Sequence, residues 1–166
     1  MSSYSKLIIF IAVLILVSLA IVMIDSSIDN INKSMPEISE SIVQADKEYN
    51  ESVDLLNDKN YEEARVKAIS AGDNYNNSLK QLQVIRDKFD NDLNDVHKEY
   101  MDATITELEL KIKAVDELKQ AIDYLQDYYN YTGSSHATEA NDLIYSSLEY
   151  QQQRNQIIQE NPELFI

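Results

Sequence analysis

Residues 7–24 are eighteen consecutive positions with no charge and a single hydroxyl, Ser18. As a helix this run spans roughly 27 Å, enough to cross the hydrocarbon core of a bilayer. All its faces are apolar and the rest of a 166-residue chain is too small to surround it, which disfavours a buried soluble helix. The competing reading is a cleaved signal peptide, with Ser18 and Ala20 as small residues near a cleavage point. The apolar core of a signal peptide is normally only about 7 to 15 residues, and cleavage would strand residues 21–24 as an apolar stub, so the uncleaved signal-anchor is preferred. The expected organisation is a cytoplasmic tail (1–6), a single transmembrane helix (7–24), a linker (25–34), an acidic helical domain (35–160) and a C-terminal tail (161–166).

Orientation rests on weaker signals. Lys6 and the α-amino group precede the span and Lys33 is the first cation after it, so the positive-inside comparison is nearly balanced. Four N-x-S/T sequons, at Asn32, Asn50, Asn76 and Asn130, all lie beyond the span, against about 1.7 from chance pairing of Asn with Ser or Thr. They are candidate glycosylation sites and tip the expectation toward a cytoplasmic amino terminus at the cell membrane with the helical domain outside.

Residues 25–166 hold all 29 acidic residues and 13 of the basic ones, a balance that argues against nucleic acid and anionic lipid headgroups as partners. Two Gly and two Pro leave too few turn residues for sandwiches, barrels or Gly-rich phosphate loops, so the expected class is all-α. Ser34-Met35-Pro36-Glu37 reads as a helix start near Met35. From there apolar or small residues recur at 3- and 4-residue steps: Ile38, Ile42, Ala45, Tyr49, Ser52 and Leu56. After Asn57-Asp58-Lys59-Asn60 the seam resumes at Tyr61, Ala64, Ala68, Ala71, Tyr75, Leu79 and Leu82, with Asn60 placed as an N-cap and the three Ala allowing close helix approach.

Residues 90–95, rich in Asp and Asn, favour a turn. Phe89, Leu93, Val96 and Tyr100 nevertheless keep the heptad phase through it. The next stripe is Met101, Ile105, Leu108, Ile112, Val115, Leu118, Ile122, Leu125 and Tyr129, with Glu107–Lys111 and Glu109–Lys113 assigned to the solvent side as acid-before-base pairs. Gly133 is expected to end that helix, and Ala137, Ala140, Ile144, Leu148 and Ile158 to mark a last one that frays toward Pro162. An antiparallel four-helix bundle with coiled-coil-like seams is preferred; the alternative is an elongated pair of hairpins sharing one long central helix, whose exposed Phe89, Leu93 and Val96 would demand a dimer.

Chemical motifs are scarce. Asp90, Asp92 and Asn94 match the first ligand positions of a calcium loop, but Asp95 stands where Gly is needed and Met101 where the bidentate Glu is needed. His97 and His136 have no second ligand at helical spacing, and His97 is read as a surface residue. Without Cys, a His pair or a nucleophile elbow, no catalytic, cofactor or metal site is expected, and no enzyme activity. Tyr is enriched around Gly133: Tyr124, Tyr128 and Tyr145 are expected to pack the last hairpin, leaving Tyr129 and Tyr131 as candidate partner contacts.

Residues 55–64 followed by Ala68 and Ala71 resemble the middle of a tetratricopeptide repeat, although Lys59 replaces the turn Gly, Glu48 occupies the aromatic position and no second copy follows. The whole is similar in architecture to the helical ectodomain of four-helix chemoreceptor sensors, which implies a partner for output because the second membrane helix and signalling module are missing. The functional expectation is a membrane-anchored, non-enzymatic accessory or scaffold subunit acting by protein contact or homo-oligomerisation, held in the bilayer through residues 7–24. The alternative is a ligand-sensing or solute-binding bundle that depends on a partner.

Overall fold

A computed structural model describes residues 29–91 and 93–165, with side chains from residue 35 onward. The expected tail at 1–6 and transmembrane helix at 7–24 lie outside the described residues; among those described, no helix is long and apolar enough to cross a membrane. The described chain is all-helical: α1 (Asp29–Asn57), α2 (Tyr61–Lys88), α3 (Asp95–Gln126) and α4 (Asn130–Glu160), then a 3₁₀ turn at Pro162–Leu164. The shared central helix of the elongated alternative is not formed, because the chain breaks at residues 89–94 between α2 and α3. There the Asn94 side chain accepts the backbone N–H of His97, capping α3.

Partners run antiparallel along each successive pair. Ser52 bonds to the carbonyl of Ala64 and Ser78 to that of Ile38 between α1 and α2. Arg86 meets Asp102 and Arg65 meets Asp123 between α2 and α3. Arg154 meets Tyr100 and His136 meets Glu117 between α3 and α4. The core joins all four helices, from Ile38, Ile42 and Tyr49 through Tyr75 and Leu82 to Leu108, Val115, Ile122 and Ile144.

The two hairpins are built alike. Each turn closes with the same bonds: Asn60 N–H to Leu55 O and Lys59 N–H to Leu56 O in one, Tyr129 N–H to Tyr124 O and Tyr128 N–H to Leu125 O in the other. Lys59 (φ 61°) and Tyr128 (φ 66°) hold the left-handed position that glycine usually fills. The offset that carries Lys59 onto Tyr128 also carries Ala64, Ala68, Ala71 and Ser78 onto Gly133, Ala137, Ala140 and Ser147, all buried. Small residues on both second helices let the backbones within each hairpin approach closely.

Several sequence expectations are corrected. Helix α1 begins at Asp29 and runs through Pro36, so residues 29–34 belong to the helix and not to a linker; Pro36, the eighth residue of α1, lies past the first turn and forgoes one i→i−4 hydrogen bond. Asn60 precedes α2 without a side-chain cap. Gly133 does not terminate α3 but sits buried in the first turn of α4, where an added Cβ would lie 2.5 Å from Leu125 Cγ. Instead of fraying, the chain after α4 folds back: Phe165 is buried, packing edge-on against His97 and tilted against Tyr100 with ring centroids 5.3 Å apart in each case.

Candidate functional site

Two features stand out from the packed helices: an ionic cluster inside the bundle and a tyrosine turn at one end. The cluster begins on α3. Glu107 and Lys111, assigned by the sequence to the solvent side, are each only 1% exposed. Helix α3 packs on α4 and α2 and reaches α1 through its side chains, so a single heptad seam underestimates how much of it is covered. Lys111 Nζ lies 2.8 Å from Glu107 Oε1 and 2.8 Å from Asp46 Oδ1 of α1, while Arg154 of α4 lies 2.7 Å from Glu107 Oε2. The Tyr75 hydroxyl of α2 donates to Asp46, and Arg154 donates to the Tyr100 hydroxyl at 3.3 Å.

Two acids and two bases thus meet without solvent. Desolvation pushes the Asp46 carboxyl above its ordinary range despite the opposing pull of Lys111. For Lys111 burial works to lower the ammonium pKa, but Glu107 and Asp46 together outweigh it and raise it, so the charge is retained. Burial and the Asp46 carboxylate hold the Tyr75 phenol well above its usual value, and burial raises Tyr49 as well. Asp46 Oδ2, Tyr49 OH and Arg154 Nε have no hydrogen-bond partner among the described residues. The arrangement balances buried charge between two acids and two bases.

His97 is corrected from surface to core. It is 2% exposed, and its Nε2 lies 3.1 Å from the carbonyl of Leu164, so the folded-back terminus covers it. The calcium-like residues serve the helix ends: Asp90 pairs with Arg86 and Lys98, and Asn94 caps α3, while Asp92 lies outside the described residues. Among the described residues no group of three His, Cys, Asp or Glu side chains could hold a metal ion.

The tyrosine turn is more exposed than expected. Tyr128 and Tyr131 are each 87% exposed and Tyr129 62%. Tyr128 and Tyr145 therefore do not pack the last hairpin; the close seam is filled by Gly133, Ala137 and Ala140, leaving no room for rings. Tyr124 lies along the side of the hairpin, stacked at 5.2 Å on His136, whose Nδ1 is 2.6 Å from Glu117 Oε2. Tyr129 meets Tyr124 edge-on at 6.2 Å, extending this stack, and Tyr131 stands free of any ring contact among the described residues. Gln126 donates to Glu62 at 2.9 Å, placing this turn at the same end as the turn at residues 58–60. The start of α1 at Asp29 is at the other end.

Of the sequons, the hydroxyls of Ser52 and Ser78 are fully buried and bonded across the α1–α2 seam, which accounts for small hydroxyl residues after Asn50 and Asn76. Asn130 is exposed at the tyrosine turn, and nothing is described of the Asn32 side chain. No family model, curated protein or solved structure matches the chain, so neither the tetratricopeptide nor the chemoreceptor likeness gains support.

Proposed function

We propose that this chain is a single-pass membrane protein, anchored through residues 7–24 with its amino terminus in the cytoplasm, whose acidic helical domain stands outside. It acts without catalysis, as an accessory or scaffold subunit that makes protein contacts. The observation carrying this reading is the turn at residues 127–131, where three tyrosines project into water from an otherwise packed bundle. Exposed aromatic clusters of this kind are characteristic of contact surfaces, because a ring supplies apolar area and a polar edge with little side-chain entropy to lose. The turn lies at the end remote from Asp29, where an anchor on the amino-terminal side would leave it reachable.

The test has two parts. A tag placed after Ile166 should be digested by protease added to intact cells, and a photo-reactive residue replacing Tyr131 should crosslink to one defined protein or to a second copy of this chain. Protection of the tag until lysis would overturn the orientation, and absence of any adduct at Tyr131 or Tyr129 would overturn the contact site.

A second reading, a ligand-sensing bundle, draws on the charged seam: a polar solute that parted the hairpins would find Asp46, Glu107, Lys111 and Arg154. A groove of about 430 Å³ beside Arg86, Glu99 and Tyr150 adds little, since Arg86 is already engaged by Asp90 and Asp102. Thermal shifts against amino acids and dicarboxylates test it; a concentration-dependent rise in Tm would favour it over protein contact.

A further inference from the structure

We infer that the partner surface meeting the tyrosine turn is a cationic protein segment, rich in Arg or Lys, bound by ring faces and carboxylates together. The inference rests on the reading of this turn as a contact site and names the chemistry of its occupant. The molecule contains its own control. The turn at residues 58–60 has the same backbone bonds and the same left-handed residue, yet it is built from Asp58, Lys59 and Asn60, where its twin has Asp127, Tyr128 and Tyr129. Turn geometry therefore explains the shared Asp and the left-handed position but not the rings. Tyr128 in particular places a large side chain in the left-handed conformation that L-residues avoid and leaves it largely in water.

The charges around the rings select the partner. Asp58, Glu63 and Asp127 are exposed and, among the described residues, paired with no cation. Asp123 has only a half-exposed Arg65 at 3.5 Å, and Glu62 is engaged by neutral Gln126. Tyrosine faces attract ammonium and guanidinium groups through the ring quadrupole, and nearby carboxylates steer cations toward them while repelling anions. The rings do not form a cage: Tyr128 and Tyr131 are too open to enclose one small cation. Several spaced cations on one segment are needed to use them at once, which favours a protein segment over a small amine.

The experiment uses the full chain in detergent micelles and a fluorescein-labelled arginine-rich peptide, followed by anisotropy, with a glutamate-rich peptide and spermine as comparison probes. The arginine peptide is expected to bind, with affinity falling as salt rises. The triple variant Tyr128→Asn, Tyr129→Asn, Tyr131→Ser removes the three rings, keeps every charge and should bind at least tenfold more weakly. Glu63→Gln with Asp127→Asn, which keeps the rings, should lose about fivefold and flatten the salt dependence. Circular dichroism verifies that both variants remain helical. Unchanged affinity in the triple variant would reduce the interaction to net charge and overturn the proposal, as would equal binding of the glutamate peptide. Spermine matching the peptide would overturn the commitment to a protein segment. A photo-adduct at Tyr131 mapping to a neutral or acidic segment would overturn the cationic partner while sparing the contact site; absence of both adduct and peptide binding would overturn both.

Discussion

Contacts within the hairpins and contacts between them solve the packing problem in opposite ways. Inside each hairpin the closest positions are Ala, Gly and Ser, with Ser52 and Ser78 turned onto backbone carbonyls, so the helices approach closely. Between the hairpins the crossing is ionic: Lys111 of α3 reaches Asp46 of α1, and it is held there by Glu107 on its own helix, which Arg154 of α4 pairs from within the second hairpin. Small-residue seams gain from proximity and are intolerant of added volume. Buried ion pairs must recover a desolvation cost of several kcal/mol per ion, so the intact cluster adds little net stability while its partial loss is severe.

Alkaline pH should break the contrast most completely. Tyr49, Tyr75 and Lys111 all have folded-state pKa values raised above their ordinary ones of 10.0, 10.0 and 10.5. Each therefore favours the folded state up to its unfolded value and loses that contribution as pH rises further toward its folded value. Tm is expected to fall steeply above about pH 10, with the last tyrosines ionising, by ultraviolet absorbance, only as helicity is lost. Smooth titration of all eleven tyrosines in a still-helical protein would contradict the burial of this seam.

Lys111→Met comes next. It leaves Asp46 with only the Tyr75 hydroxyl and Glu107 with only Arg154, and should cost about 3–5 kcal/mol in urea unfolding. Replacing Asp46, Glu107, Lys111 and Arg154 together by apolar residues of similar volume should recover most of that loss. If the quadruple variant is no more stable than Lys111→Met, the cluster is not behaving as a coupled unit.

The glycines separate the two seams directly. Gly133→Ala forces a methyl against Leu125 within a hairpin and should cost about 1–3 kcal/mol. Gly72→Ala faces Val115 Cγ1 at 3.1 Å across the looser seam, where a gain in helix propensity of about 1 kcal/mol offsets the crowding. A larger loss at Gly72 than at Gly133 would reverse the assignment of tight and loose seams. The smallest effect belongs to the turns: Lys59→Gly and Tyr128→Gly should each stabilise by roughly 0.5–1 kcal/mol through relief of the left-handed strain, measurable as a modest rise in Tm.

The seams legible in the sequence were those with a single buried stripe. Ile38, Ile42, Ala45, Tyr49, Ser52 and Leu56 on α1, and Ala64, Ala68, Ala71 and Tyr75 on α2, are all buried as their spacing predicts. On α3 the stripe through Ile112 was only half the story: Ile112 is partly exposed, whereas Thr104, Glu107, Lys111 and Ala114 line a second buried face. Periodicity of apolar residues cannot reveal a face lined with charges. The available hints were Ala114 and Ala121 beside Lys111, and Arg154 at the heptad position of Ala140 and Ser147. His97 was missed because its cover, Leu164 and Phe165, is distant in sequence. Tyr129 and Tyr131 were singled out as contacts and are indeed exposed, but Tyr128 was hidden by the expectation that Gly133, the nearest glycine, made the turn.

The separation along the chain between paired residues also sets an order in time. Hairpin contacts such as Ser52 with Ala64 link positions 12 apart, whereas Asp46 and Lys111 are 65 apart. Closing short loops first and long ones later is the entropically cheaper route, so the hairpins are expected to assemble early and the charged seam to lock last. Cluster variants should then accelerate unfolding while leaving the refolding rate nearly unchanged, and small-residue variants should slow refolding. The ionic seam, neutral in its net contribution to equilibrium stability, would act as a latch that determines how long the closed bundle lasts.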